Sequence, residues 1–214
     1  GRIGDWVIEQ ACEQLARWQA QGLVCRVAIN LSAHQLRQPD LARRILSTLE
    51  RHGLDPSLLV CELTETAMME SIKDGCSVLD ELDAAGVRVS IDDFGTGYSS
   101  LSYLRRLPAS QLKIDRSMVT GIDVDRQARA VLESVIKLAH ALDMEVVAEG
   151  VETEAQRLVL VEADCDVLQG YLFVRPMDAH ALQDWVRERA PRGAVLPLSA
   201  SSDSAAGLRT AAPA

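Results

Sequence analysis

The chain has 214 residues, a formal net charge of −9 at pH 7 and a pI near 4.9. Its length and its 48% hydrophobic content suffice for a folded domain with a sizeable core, and no apolar run approaches the roughly 18 residues of a membrane span. The acidic balance argues against a basic surface that binds duplex nucleic acid.

The cysteines and the first residues indicate the setting of the domain. The 5 cysteines are an odd number without CxxC spacing, which is typical of reduced thiols in the cytoplasm and not of a disulfide framework or a zinc site. The chain opens with Gly1 and enters a helical apolar pattern at residues 6–18 without a secretory leader. We therefore expect a domain that is entered partway, as part of a longer parent protein.

Short apolar runs alternate with longer amphipathic stretches along the chain. This alternation predicts six strands, at residues 24–29, 58–61, 87–91, 111–114, 145–148 and 167–169. It also predicts helices at residues 40–52, 67–85, 101–106, 125–142, 153–163 and 179–189. Thr153 is the expected N-cap of the fifth of these helices.

Strands that alternate with helices of this length predict a parallel sheet in an α/β fold, either an open doubly wound sheet or a closed barrel. No Gly-rich phosphate fingerprint follows the first strand, which disfavours the doubly wound alternative. A barrel typically takes about 250 residues. Residues 1–189 are therefore expected to form a TIM-like (β/α)8 barrel that lacks its first two strands. Residues 190–214 are expected to be a disordered low-complexity tail.

Polar side chains interrupt the six apolar runs at corresponding places. These residues are Asn30, Glu62, Asp92 with Asp93, Lys113, Glu149 and Gln169. In a parallel barrel the carboxyl ends of the strands converge on one mouth, where active sites lie. The sequence thus predicts a cluster of four carboxylates, one lysine and two amides.

Such a cluster indicates metal chemistry. Four neighbouring carboxylates repel one another unless cations neutralise them. Carboxylate and amide oxygens, without His or Cys, suit Mg²⁺ or Mn²⁺ better than zinc. The adjacent Asp92 and Asp93 are suited to a two-metal site, which can clamp both oxygens of a phosphoryl displacement.

Each residue taken singly also has an ordinary structural interpretation. Asn30 could cap the next helix, Lys113 could be an edge-strand charge, and the segments at Glu149 and Gln169 could be turns. Six such positions on six successive strands favour a site. The four histidines lie in or beside helical stretches and are interpreted as structural or surface residues.

The motifs around these positions resemble those of the EAL-domain phosphodiesterases. They are Asn30-Leu31-Ser32, Glu62-Leu63-Thr64-Glu65, the run DDFGTGYSS at 92–100, Lys113-Ile114-Asp115, AEGVE at 148–152, and QGYLF at 169–173. The resemblance implies a TIM-like barrel that hydrolyses the bacterial second messenger cyclic di-GMP to linear pGpG with Mg²⁺ or Mn²⁺. It also implies a parent protein in which a sensory or GGDEF domain often lies upstream.

The resemblance also implies a metal-ligand set. Asn30, Glu62 and Asp92 would hold a first metal ion, and Asp92 with Asp93 would hold a second. The sequence keeps the required residue type at all four positions.

Other roles are implied in the same way. Lys113 would orient or help deprotonate the attacking water, Glu149 would hold metal-bound water, and Gln169 would complete the substrate site. Glu65 would brace the loop from Phe94 to Ser100, which in the family couples the metal site to homodimer formation.

The namesake Glu-Ala-Leu motif is not found in the chain, and in the family it lies upstream of the segment that resembles residues 1–11. Two interpretations therefore stay open. In the first interpretation, the parent protein is an active phosphodiesterase and the isolated chain is expected to be inactive. Alternatively, this is a non-catalytic EAL-like domain that binds cyclic di-GMP or a protein partner.

Overall fold

The structure is a computed structural model that describes residues 2–73, 78–95, 104–105 and 107–189. The predicted helix at 101–106 lies mostly outside this range. Residues 96–100 of the predicted loop and the whole predicted tail at 190–214 also lie outside the described residues.

Six parallel strands form a single sheet in the described part of the chain. They are β1 (Val27–Asn30), β2 (Leu59–Thr64), β3 (Arg88–Phe94), β4 (Gln111–Ile114), β5 (Glu145–Ala148) and β6 (Val167–Leu168). Their spatial order follows the chain from β1 to β6. A doubly wound sheet would reverse its order at a switch point. The unreversed order is that of a barrel wall, so the TIM-barrel-like fold class is confirmed.

The strands are joined and flanked by helices. These are α1 (Arg2–Ala20), α2 (Ala33–Leu36), α3 (Leu41–Arg51), a 3₁₀ turn (Pro56–Leu58), α4 (Glu65–Lys73), α5 (Val78–Ala84), α6 (Arg116–Val119), α7 (Arg126–His140), α8 (Glu154–Glu162) and α9 (Ala179–Arg189). The predicted helix at 67–85 corresponds to α4 and α5, and the residues between them, 74–77, lie outside the described residues.

Side-chain caps fix where several helices begin. Thr153 Oγ1 accepts a hydrogen bond from the backbone N–H of Gln156 ahead of α8, and Gln156 Oε1 accepts one from the backbone N–H of Thr153, so the predicted N-cap is confirmed. Asp115 caps α6 and Asp125 caps α7 in the same manner. Two of these caps, Thr153 and Asp115, lie close after a strand and set the exit of the chain from the sheet into the helix.

The two faces of the sheet have opposite character, because successive strand residues point to opposite faces. The residues of one face are apolar and buried, and belong to the hydrophobic core that includes the flanking helices: Ile29, Cys61, Leu63, Val89, Ile91, Leu112, Ile114, Val146 and Ala148. The alternating positions carry the polar residues, among them Glu62, Ser90, Asp92, Lys113 and Glu145. The sheet therefore directs its polar side chains to one common inner face.

No helix among the described residues combines the length and apolar character needed to cross a bilayer.

Candidate active site

Four strands bring their polar residues together at the carboxyl end of the inner face. Glu62 lies in β2, Asp92 and Asp93 lie in β3, Lys113 lies in β4, and Glu149 directly follows β5. Because all these strands are parallel neighbours, their carboxyl ends meet at one edge. The sequence-predicted cluster is therefore assembled around β2 to β5.

Lys113 is the centre of the cluster. Its Nζ atom lies 2.9 Å from Glu62 Oε1, 2.9 Å from Asp92 Oδ1 and 2.7 Å from Glu149 Oε1. The lysine side chain is only 9% exposed. One ammonium group is thus shared by three carboxylates, and when all four groups are ionised the carboxylates are in excess.

The pKa values reflect this excess of carboxylates. Burial raises the pKa of Glu62, the contact with Lys113 works against that rise, and Asp92 and Glu149 add to it. Burial alone would lower the pKa of Lys113, but its contacts with Glu149, Glu62 and Asp92 outweigh burial and raise the pKa above the ordinary lysine value. Lys113 therefore stays a cation, while Glu62 has a tendency to take up a proton.

Asp93 completes a group that could hold a metal ion. One carboxylate oxygen from each of Asp92, Asp93 and Glu149 lies within 4.8 Å of the other two. Oxygen ligands of a single Mg²⁺ lie about 2.1 Å from the ion and so up to about 4 Å apart, a spacing that small side-chain rotations would reach. Burial, with the neighbouring Asp92 and Asp115, raises the pKa of Asp93, and the charge of Lys113 works against that rise.

One oxygen in this group supports the fit to a cation. Asp92 Oδ1 is buried and lies 2.9 Å from the Lys113 ammonium nitrogen, so this oxygen already serves a cation. Hard oxygen donors and excess negative charge together suit a divalent cation of the Mg²⁺ or Mn²⁺ type.

The two predicted amides flank this centre. Asn30 is the exposed last residue of β1 and pairs in register with Glu62. Gln169 is exposed and directly follows β6, where its backbone donates to the carbonyl of Ala148 and accepts from the amide of Val151. Both residues thus lie on the same edge as the carboxylates, on either side of them.

Glu65 is the first residue of α4 and directly follows β2. Its Oε2 atom is buried and has no hydrogen-bond partner among the described residues. The loop that it is expected to brace runs from Phe94 to Ser100, and only Phe94 and Gly95 of that loop belong to the described part. The bracing role stays a prediction.

A second polar cluster lies at the amino end of the sheet, and the sequence predictions missed it. Glu145 Oε2 lies 3.1 Å from Arg88 Nη2, 3.0 Å from Gln111 Nε2 and 3.5 Å from Arg26 Nη1. The alternation of strand residues between the two faces predicts part of this cluster. Arg88 lies four residues before Asp92, and Gln111 lies two residues before Lys113, so each shares the face of its partner.

The sequence of the chain also matches a known protein family. Residues 1–176 match the model of the EAL domain. The chain belongs to the EAL domain family. This match confirms the resemblance that the sequence motifs indicate. The strand order and the acidic edge of the inner face are thus features of an EAL domain.

A curated relative of this EAL domain is the bifunctional diguanylate cyclase/cyclic di-GMP phosphodiesterase MucR of Pseudomonas aeruginosa. It is 44% identical over 182 residues, which are 85% of this chain and 27% of that protein. The chain therefore spans about a quarter of the length of this relative.

Solved structures agree with the fold. A phosphodiesterase structure of MucR in complex with cyclic di-GMP has a TM-score of 0.79 and 44% identity, with 85% of this chain and 74% of that chain covered. The EAL domain of Mycobacterium smegmatis DcpA has a TM-score of 0.82 and 36% identity, with 89% and 87% covered. The calcium and cyclic di-GMP complex of Klebsiella pneumoniae BlrP1 has a TM-score of 0.74 and 32% identity, with 82% and 44% covered.

Proposed function

We propose that this EAL domain is part of a phosphodiesterase that hydrolyses cyclic di-GMP to linear pGpG. The observation that carries the proposal is the site itself: three carboxylates around Lys113, with Asp93 beside them, at the carboxyl end of an EAL domain. MucR, which is 44% identical to this chain, is named as a cyclic di-GMP phosphodiesterase, and its solved structure is a complex with cyclic di-GMP. Both findings support this substrate.

Asn30, Glu62, Asp92 and Asp93 are the proposed metal ligands, for a pair of Mg²⁺ or Mn²⁺ ions. When bound, the cations would act as Lewis acids that neutralise the carboxylates and attract the anionic phosphodiester. The calcium complex of BlrP1 supports a divalent ion, and the oxygen donor set supports Mg²⁺ or Mn²⁺ as its identity.

The remaining residues act on water and substrate in this proposal. Water adds to one phosphorus, the bond from that phosphorus to one ester oxygen breaks, and that oxygen leaves with a proton. The three carboxylates around Lys113 raise its pKa in the metal-free protein, and in this proposal Lys113 orients the attacking water or helps to deprotonate it. Glu149 can accept a proton from that water, and Gln169 contacts the substrate.

Three further parts of the proposal concern the setting. We expect a homodimer formed through the loop from Phe94 to Ser100, which Glu65 braces. We expect a sensory or GGDEF domain in the same protein, in line with the bifunctional name of MucR. We also expect the domain to work in the cytoplasm, where its substrate is made.

The test is a hydrolysis assay on the intact protein with cyclic di-GMP, followed by chromatography of pGpG. We expect turnover with Mg²⁺ or Mn²⁺ and none in excess EDTA. Asp92→Asn should lower turnover on the order of 10²- to 10⁴-fold. Asp83→Asn, at an exposed position near the end of α5, which leads to the amino end of β3, is the matched control and should leave the rate unchanged.

Two results would contradict the proposal in different ways. Undiminished turnover in EDTA would remove the metal site. Tight binding of cyclic di-GMP without turnover at any divalent ion would instead select the non-catalytic binding domain.

A further inference from the structure

Lys113 and the candidate metal site share their carboxylates. Lys113 contacts Asp92 and Glu149 at 2.9 and 2.7 Å, and the same two residues form the possible ligand group together with Asp93. An ammonium group and a divalent cation would therefore be held by the same anions. Two cations that share ligands lie close enough to repel each other.

The same contacts matter before any cation binds. Without Lys113, the carboxylates of Glu62, Asp92 and Glu149 would gather three negative charges on one edge with no counter-charge among them. Like charges at this separation disfavour the folded arrangement or force protonation. The lysine is almost fully buried, so solvent screens these charges only weakly.

We propose that Lys113 is a built-in counter-ion of this site, which holds Glu62, Asp92 and Glu149 together before a divalent cation binds and which lowers the affinity for that cation. The inference rests on the proposed metal site and not on hydrolysis. It differs from a role in orienting water, because a water-orienting lysine would affect turnover without setting the affinity for metal or the stability of the metal-free protein.

The test uses Lys113→Met, which keeps most of the side-chain length and removes the charge. Lys137→Met, at an exposed position near the end of α7, is the matched control. Binding of Mn²⁺ alone to the intact protein is measured by calorimetry, without nucleotide. We expect Lys113→Met to bind Mn²⁺ on the order of tenfold more tightly than the wild type. Equal or weaker binding would overturn the proposed repulsion.

The second readout is thermal unfolding in EDTA. Lys113→Met should unfold at a lower temperature than the wild type in EDTA, and Mn²⁺ should raise its unfolding temperature by more than it raises that of the wild type. An unchanged or higher unfolding temperature in EDTA would overturn the counter-ion role.

If Lys113→Met does not fold, a wild-type measurement decides. The ¹⁵N signal of the Lys113 ammonium should show slow hydrogen exchange in EDTA and faster exchange after Mg²⁺ is added. Exchange that is fast in EDTA or unaffected by Mg²⁺ would overturn the proposal. A wild type that binds Mn²⁺ as expected but hydrolyses nothing would refute the proposed function and leave this inference standing.

Discussion

The two ends of the inner face of the sheet carry the same kind of cluster with opposite sign. At the carboxyl end one cation, Lys113, is surrounded by three carboxylates. At the amino end one carboxylate, Glu145, is surrounded by two guanidinium groups and the amide of Gln111. The carboxyl end keeps excess negative charge, so it is arranged to take a cation from solution.

The amino end is arranged for structure. Its groups join the starts of β3, β4 and β5 and the residue before β1 through one carboxylate oxygen. Burial, together with the neighbouring Arg88, lowers the pKa of Arg26, and Glu145 works against that fall. In a parallel barrel, function is expected at the carboxyl end and stability at the amino end. Substitutions at matched positions of the two ends test this division.

The largest expected effect is that of Glu149→Gln at the carboxyl end. This change removes one of the carboxylates around Lys113 and one possible metal ligand, while it keeps the shape of the side chain. We expect turnover of cyclic di-GMP to fall on the order of 10²- to 10⁴-fold, since a positioned proton acceptor is lost. Steady-state kinetics checks this, and a rate within a few-fold of the wild type would remove Glu149 from the site.

Gly170→Ala tests how the backbone holds the carboxyl end. A Cβ atom at this position would overlap the carbonyl oxygen and the amide nitrogen of Val151, which are backbone atoms and cannot rotate away. We expect a loss of about 2–4 kcal/mol in the free energy of unfolding, together with a raised KM because Gln169 is displaced. Urea denaturation and kinetics check this. Gly22→Ala is a contrast in which no neighbour lies within 4 Å of the added Cβ, so only the cost of a side chain at a φ of 78° remains, about 1–2 kcal/mol.

Glu145→Gln breaks the amino end and should have the reverse profile of Glu149→Gln. The two guanidinium groups lose the charge that they share, so we expect a loss of about 1–3 kcal/mol in the free energy of unfolding. Turnover at a temperature where the variant is folded should stay within a few-fold of the wild type. Unchanged stability, or a large fall in turnover, would refute the division between the two ends.

The sequence predicted the strand framework well and the strand ends less well. The predicted bounds of β4 and β5 agree with the structure, but β2 continues through Glu62 to Thr64 and β3 continues through Asp92 to Phe94. A polar residue after an apolar run was interpreted as the end of a strand. At the mouth of a barrel the inner face is itself polar, so the strand continues through such a residue.

The residues of the site were predictable, but their contacts were not. Their positions at the ends of apolar runs in a parallel sheet place Glu62, Asp92 and Lys113 on one edge, as observed. That a single ammonium would touch three carboxylates depends on the stagger between strands and on side-chain rotamers. The register shift between β3 and β4, from Ile91 to Phe94, is one such feature. A linear sequence does not carry this information.

The smallest expected effect comes from an ordinary ion pair outside the two clusters. It shows how little a more exposed pair contributes to stability. Glu9 in α1 contacts His52 Nε2 and Arg51 Nη2, each at 2.8 Å. The hydrogen bond with His52, followed by that with Arg51, lowers the pKa of Glu9 below its ordinary value of 4.5. Because Glu9 is 39% exposed, solvent weakens the interaction, and Glu9→Gln should cost less than about 1 kcal/mol at pH 7.

The sign of its pH dependence follows from the lowered pKa. A carboxyl group whose pKa is lower in the folded state contributes stability above its unfolded pKa and loses that contribution as the pH falls through the folded value. The difference in unfolding free energy between the wild type and Glu9→Gln should therefore be largest near neutral pH and shrink as the pH falls below about 4.5. Urea denaturation at several pH values checks this, with Glu50→Gln, an exposed neighbour of Arg51, as the control. A difference that is constant or grows towards acid pH would show that Glu9 acts by packing and not by charge. The clusters at the two ends of the sheet would then be the sites where charge affects stability or function.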